Sequence, residues 1–292
     1  MKKILITGAT GDTGRYATQQ LIERGYSVRA MVHARDGRAE ALSEMGAEVV
    51  AGDLLDLRSV RRALQDIQAA YFVYPIQPGL VEATGYFALA AKEAGVEALV
   101  NMSQISARQD SASNAALDHW AGERIFDWSG TPVTHLRPTF FAEWLIYPTF
   151  SNLIPVRSQG YIEYPFAAVK HAPVAAYDQA RLIAQLLIDH APHAGKTYPL
   201  YGPEEVSYAE IAERLGELFG RKVIYRPIEI EPFRMKLKEN GAPDYLIQHL
   251  CAVAQDYREG LFSGTNSLIE QITGQAPMTV AEFARNNQQR FF

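Results

Sequence analysis

Ile4-Leu5-Ile6-Thr7-Gly8-Ala9-Thr10-Gly11-Asp12-Thr13-Gly14 decides the fold of this chain. The stretch opens as a continuous apolar run, which is how a strand buried on both faces reads. It turns on three glycines spaced by three and leads into a helical pattern with Ala17, Leu21 and Ile22, stopped by Gly25. In a strand–turn–helix of this kind each glycine has its own task. Gly8 makes the tight turn, Gly11 lets the backbone approach a pyrophosphate, and Gly14 lets the helix pack close to the sheet. The free N–H groups and the positive dipole end of the helix then favour a phosphate beside Thr10, Asp12 and Thr13. The expectation is a dinucleotide site.

Working outward, Ser27–Val32 reads as a second strand, followed by His33-Ala34-Arg35-Asp36-Gly37-Arg38. An acidic residue at this strand end suits the ribose hydroxyls of NAD, and a basic one suits the extra phosphate of NADP. His33 occupies the strand end with Arg35 and Arg38 close by, so NADP(H) is preferred; Asp36 keeps NAD(H) possible. Glu48–Ala51 is a third strand ending in Gly52-Asp53-Leu54, where Asp53 is placed to accept from the adenine amino group and Leu54 to pack on the ring. Asp56 is the N-cap of a short helix. Ala69–Val73 is a fourth strand. It runs into the rigid loop Tyr74-Pro75-Ile76-Gln77-Pro78-Gly79, at the strand end where doubly wound sheets hold ligands. A helix over Leu80–Ala94, a strand over Ala98–Met102 ending near Ser103 and Gln104, a helix over Ala116–Trp128 and a strand over Val133–Leu136 continue the alternation. Strands alternating with helices imply a parallel, doubly wound α/β sheet of Rossmann type.

The second half differs. Proline and aromatic residues crowd 147–165, Asp178–Asp189 is a periodic helix with Leu182, Ile183, Leu186 and Leu187 on one side, and Ser207 with Glu210 forms a capping box for a helix to Phe219 ended by Gly220. Helices over Phe233–Asn240 and Tyr245–Asp256 carry Phe233, Met235, Leu237, Tyr245, Leu246 and Leu250, as core or as the wall of an apolar pocket. The expected division is a nucleotide-binding domain over 1–146, with a later contribution from about 170–190, and a smaller C-terminal α+β domain over 147–292 that binds substrate.

Bulk properties exclude several classes. A net charge of −5 argues against a dedicated nucleic-acid binder. No apolar run is long enough to span a bilayer, and the apolar segment after Met1-Lys2-Lys3 breaks at once into Thr and Gly, unlike a signal peptide. Cys251 is the only cysteine, which suits a reducing, cytoplasmic setting. The seven histidines are scattered, and His190 with His193 makes only a weak pair, so no metal site is expected.

Taken together, the residues resemble the NmrA-like branch of the atypical short-chain dehydrogenase/reductase superfamily. The resemblance rests on Thr7–Gly14, Gly52-Asp53, His119 with Glu123 in His119-Trp120-Ala121-Gly122-Glu123, Ser129-Gly130, Leu136-Arg137-Pro138, Tyr201-Gly202-Pro203-Glu204 and Gly274-Gln275-Ala276-Pro277. It is similar to the bacterial group of NADPH-dependent quinone reductases and triphenylmethane reductases. The resemblance implies a substrate site between a nucleotide domain and a C-terminal domain. One departure matters. The Tyr-x-x-x-Lys proton-donor pair of ordinary short-chain dehydrogenases occurs nowhere, and His119 and Glu123 stand four apart on the corresponding helix, where the two side chains share a face. An imidazole titrates near neutrality, so His119 suits proton donation, with Glu123 able to raise its pKa; alternatively, both anchor the helix.

The resulting expectation is hydride transfer from NADPH to a small aromatic, conjugated or quinone-like acceptor. The nicotinamide would lie near Tyr74, Pro75, Ser103, Pro138, Thr139 and Phe140, and Phe140, Phe141, Trp144 and Tyr147 would offer aromatic walls. Tyr74 is a further catalytic candidate. A non-catalytic NADP(H) sensor acting on a partner protein, or an isomerase or lyase-like enzyme of the extended fold, are the alternatives, and an oligomer is possible.

Overall fold

The computed structural model describes residues 2–146 and 160–291, so Tyr147 and most of the proline- and aromatic-rich stretch lie outside the described residues. The chain forms two compact units. The first comprises Met1–Asp110, Ala115–Arg137 and Ala176–Pro199, and the second Ser111–Asn114, Pro138–Ala175 and Leu200–Phe292.

The first unit is built on β1 (Lys3–Ile6), α1 (Asp12–Glu23), β2 (Ser27–Val32), α2 (Gly37–Glu44), β3 (Glu48–Ala51), α3 (Leu57–Ala63), β4 (Ala69–Phe72), α4 (Leu80–Glu93), β5 (Ala98–Met102), α5 (Asn114–Ser129) and β6 (Val133–Pro138). The sheet order is β3-β2-β1-β4-β5-β6, with the strand Thr197–Leu200 added beyond β6. Pairing is parallel: Ile4 lies between Val28 and Ala69, and Leu99 between Ala70 and Val133. The added strand is parallel too, since His135 N–H donates to Lys196 O and Thr139 N–H to Leu200 O at a constant offset. The chain therefore winds outward from β1 to β3, returns to β4, and winds the other way. The reversal between β1 and β4 opens a crevice at the carboxyl ends of the strands.

The apolar runs explain this sheet. Ile4, Leu5, Ile6, Ala69, Ala70, Tyr71 and Phe72 are sealed from solvent because helices cover both faces. On one face Phe72 packs against Phe87 of α4 and Phe126 of α5, with ring centroids 4.9 and 5.2 Å away. The helix Ala176–Ile188 packs beside α1, with Tyr16 edge-on to Tyr177 at 5.3 Å, and its periodic Leu182, Ile183, Leu186 and Leu187 are fully buried.

The second unit pairs Tyr161–Tyr164 with Ile224–Pro227 in parallel and Lys170–His171 with Val206–Ser207 antiparallel. Its helix Tyr208–Phe219 starts on the expected capping box, with Ser207 accepting from Glu210 N–H and Glu210 reaching back to Ser207, and ends at Gly220 in the left-handed region. Of the six apolar residues on the two following helices, Phe233, Leu237 and Leu250 are core, while Met235 is half exposed.

Two histidines are sealed in this unit. His171 stacks on Tyr208, and the Tyr257 hydroxyl lies 2.6 Å from its Nδ1; burial pulls its pKa down to about 3, against a hydrogen bond with the Val206 backbone that works the other way. His249 lies 2.8 Å from the Ser113 hydroxyl, and burial holds its pKa down at about 4 despite the charge of Asp256. Above the ordinary histidine pKa of about 6.5 both states are neutral and the contribution to stability is full. Below it the unfolded chain takes up protons that the folded chain refuses. Each histidine thus draws stability away at about 1.4 kcal/mol per pH unit as the pH falls, His249 down to about 4 and His171 to about 3. The melting temperature is expected to drop between pH 6.5 and 4, and His249→Gln to drop less steeply; a variant with an unchanged slope would contradict this assignment.

Candidate functional site

The carboxyl ends of β1 to β5 gather most of the residues singled out in the sequence. In the first loop Gly8 has φ +54° and leaves no room for a side chain, since a Cβ would lie 2.5 Å from Val73 Cγ1. A Cβ on Gly14 would lie 2.4 Å from Gly8 O and 2.9 Å from Ala9 Cα, so this glycine brings α1 against the loop. Gly11 is different. Its φ of −81° suits any residue, it is exposed, and it caps α1 with no side chain occupying the free N–H groups. The loop is held in shape by Gly11 N–H on Gly8 O (2.9 Å) and by Thr7 Oγ1, which accepts from Val73 N–H (2.9 Å) and so ties the ends of β1 and β4 together.

Among the neighbours, Asp12 pairs with Arg15 at 3.5 Å, and Thr10 is half-buried. Thr13 turns its hydroxyl inward, 3.1 Å from that of Tyr71, whose pKa burial pushes far up. Only the backbone N–H of Thr13 is therefore left for a phosphate. After β2, His33, Arg35 and Arg38 are all exposed. Arg38 is taken by Asp36, whose Oδ2 accepts from its Nε (3.0 Å) and Nη2 (2.7 Å) while Oδ1 caps α2; the guanidinium holds this carboxyl below the usual range. Arg35 makes one hydrogen bond, from Nη2 to Val49 O at 3.1 Å. After β3, Asp53 Oδ1 accepts from Leu55 N–H (2.9 Å) and caps a turn, with Leu54 half-buried beside it.

Tyr74 does not present its hydroxyl as a proton donor. It donates to Pro78 O at 3.1 Å and receives Gln77 Nε2 at 3.3 Å, within its own loop, and Gly79 at φ +107° leaves space for it. The exposed Pro75 follows it. At the end of β5, Ser103 is buried and its Oγ has no hydrogen-bond partner. A buried hydroxyl left unsatisfied is costly, and a ligand that meets it is a direct way of removing the cost.

On α5, His119 and Glu123 are both buried. Glu123 is fully sealed and accepts a fork from Arg137, Nε to Oε1 at 2.8 Å and Nη2 to Oε2 at 2.5 Å. Its acceptor positions are thus committed to β6, and Arg124 Nη2 lies 3.5 Å away. A second network runs beside it. Asn101 Nδ2 lies 3.0 Å from His135 Nδ1 and Asp127 Oδ1 lies 3.1 Å from His135 Nε2, an arrangement that suits a neutral ring donating through Nε2; burial lowers the His135 pKa. Sequence reading missed both networks, because their members stand far apart along the chain and only the adjacency of α5, β5 and β6 joins them.

In the second unit, by itself, Phe140 is not an open wall. It is buried among Trp144 (4.6 Å), Phe262 (4.7 Å), Phe166 (5.0 Å) and Tyr257 (5.6 Å). Pro138 and Thr139 are buried too, whereas Phe141 and Trp144 are half-buried. No cluster of three metal-ligating side chains occurs among the described residues, and no helix among them is long and apolar enough to cross a membrane.

The glycine cradle and the unsatisfied Ser103 hydroxyl fit a dinucleotide on the first unit. Comparison with known proteins agrees. An NAD(P)H azoreductase of Xenophilus azovorans is 30% identical over 99% of both chains. An Escherichia coli NADPH-dependent quinone oxidoreductase, solved with NADPH, superposes with a TM-score of 0.83 at 25% identity, over 97% of this chain and 99% of that one. A Citrobacter triphenylmethane reductase solved with NADP(H) shares the fold at 23% identity and a TM-score of 0.83, over 97% and 99%. The family model described as NmrA-like matches residues 1–284. The chain belongs to the NmrA-like family.

Proposed function

We infer that the chain is an NADPH-dependent reductase that passes hydride to a small conjugated, azo or quinone-like acceptor. The observation that carries this reading is the phosphate cradle at Gly8, Gly11 and Gly14, an uncapped helix start with two glycines that admit no side chain. The azoreductase and quinone reductase relatives support the choice of chemistry. When bound, the cofactor supplies the hydride; the protein supplies binding, orientation and electrostatics. Thr10, Asp12 and Thr13 would hold the pyrophosphate through backbone N–H groups, and Gly11, whose own N–H is taken by Gly8 O, would let it approach. His33 and Arg35 flank the adenosine ribose, with Asp53 and Leu54 beside the adenine. Ser103 binds near the nicotinamide. Tyr74 and Pro75 shape the loop above β4, Pro138 and Phe140 support the chain leaving β6, and Arg137 fixes Glu123 and so the face of α5 that carries His119. His119 gives the acceptor its proton. The site works in the cytoplasm on a freely diffusing small molecule.

The test follows NADPH absorbance with the purified protein and a panel of quinones, azo dyes, triarylmethane dyes and conjugated enones. Protein-dependent oxidation, faster with NADPH than with NADH, is the expected result. Tight NADPH binding with no turnover across the panel would overturn the reductase reading in favour of a regulator of the NmrA type. A reduced quinone can take its proton from water, whereas an enone needs a donor. His119→Gln should therefore slow enone turnover by about a hundredfold and quinone turnover by less than about tenfold, with NADPH affinity unchanged. Equal, small effects on both acceptors would leave His119 an anchor of α5.

A further inference from the structure

The arginines at the end of β2 are not equivalent. Arg38 is the one closest to a carboxylate: its guanidinium is forked by Asp36, and Asp36 is in turn fixed by the N–H groups of Arg38 and Ala39. A phosphate dianion brought to Arg38 meets that fixed negative charge. Arg35 carries no such partner. It extends along the outer edge of β3, where its one hydrogen bond goes to the Val49 carbonyl, one that the edge strand leaves open.

Beside it is a cavity of about 390 Å³ lined by Arg35, Val50, Ala51, Ser59, Arg62 and Ala63. It lies between the end of β3 and α3, and Arg35 of the β2–α2 loop forms part of its lining. Arg62 enters it from α3, and among the described residues no carboxylate pairs with it, in contrast to Arg61 next to it, which Glu93 holds at 2.7 Å. Ser59 is buried and its Oγ accepts from Asp53 N–H at 3.0 Å; its own O–H is left to donate. Gly52 makes room for this hydroxyl, since a Cβ there would lie 2.5 Å from Ser59 Oγ. Two uncompensated guanidinium groups and a hydroxyl donor around one cavity make a receptor for a phosphate monoester.

We propose that Arg62, acting with Arg35 and not with Arg38, holds the 2′-phosphate of NADPH in this cavity and sets the preference for NADPH over NADH. The proposal rests on the reading of the chain as an NADPH-using reductase and adds a residue from α3, outside the β2–α2 loop where sequence reasoning looks for the determinant. The Ser59 hydroxyl donates the third hydrogen bond.

The experiment titrates the whole protein with NADPH, NADH, adenosine 2′,5′-bisphosphate and adenosine 5′-monophosphate. Arg62→Ala is expected to weaken NADPH and the bisphosphate by about tenfold, the loss of one charge-assisted contact, and to leave NADH and the monophosphate within about twofold. Arg35→Ala should do the same, and Arg38→Ala and the exposed control Arg58→Ala should not. The melting temperature of each variant separates misfolding from a binding effect. Equal losses for NADPH and NADH, or a selective loss in Arg38→Ala and none in Arg62→Ala, would overturn the proposal while wild-type oxidation of NADPH by the acceptor panel still upholds the reductase reading. A wild-type protein that binds neither dinucleotide would overturn both.

Discussion

Gly14→Ala is expected to cost the protein about 1–3 kcal/mol and its dinucleotide site together, while Gly11→Ala is expected to cost the site alone. The two glycines look alike in the motif and differ in space. A methyl group on Gly14 meets the carbonyl of Gly8 at 2.4 Å and the Cα of Ala9 at 2.9 Å. Both are backbone atoms and cannot rotate away, so α1 must move off the loop. A fall in the melting temperature of roughly 2–12 °C follows for a chain of this size. On Gly11 the only neighbour is Gly8 O at 3.3 Å, and φ is already −81°. The fold gives by a few tenths of an ångström, and the lost glycine cap costs under about 1 kcal/mol. The methyl group instead stands at the uncapped helix start, where the proposed function places the pyrophosphate. NADPH affinity should fall by about tenfold or more with a melting temperature within a few degrees of wild type. Thermal melts and NADPH titrations of both variants check this. If Gly11→Ala binds NADPH as the wild type does, the loop is not the pyrophosphate cradle.

Arg137→Met is expected to destabilise the first unit by about 3–5 kcal/mol, because it strands a sealed carboxylate. Glu123 is fully buried, and Arg137 supplies both of its short hydrogen bonds; Arg124 at 3.5 Å is a poor substitute. The double variant Glu123→Leu with Arg137→Met should recover most of the loss, since apolar side chains of similar volume remove the buried charge along with its partner. Denaturant unfolding of the two single variants and the double variant reads the coupling directly. Additive losses would mean that the pair does not act as a unit. The same cycle bears on α5: where the double variant folds but turns over acceptor slowly at unchanged NADPH affinity, the fork serves to orient the helix face carrying His119.

Much of this molecule is readable from local sequence. The bounds of the strands Ser27–Val32, Glu48–Ala51 and Ala98–Met102, the caps at Asp56 and Ser207 and the helix stop at Gly220 follow from apolar runs, turn residues and side chains that bond their own backbone two or three residues on. The glycine spacing identified the loop, and alternating strands and helices identified a doubly wound parallel sheet. These signals survive in one dimension because the physics behind them is confined to a few consecutive residues.

Partner choice is not confined in that way. Arg38 reads as a phosphate ligand until Asp36 is seen to fork it; Tyr74 reads as a donor until its hydroxyl is seen to turn onto Pro78. Arg137 finds Glu123 across fourteen positions, His135 finds Asn101 across thirty-four, and Arg62 lines one cavity with Arg35 only because α3 lies by the end of β3. Sequence by itself determined which segments become strands and helices and where a glycine turn leads into a helix start. Tertiary structure alone decided which charges stay uncompensated, because an ion pair or a buried hydroxyl is settled by distances of about 3 Å between segments whose separation along the chain carries no information about their approach.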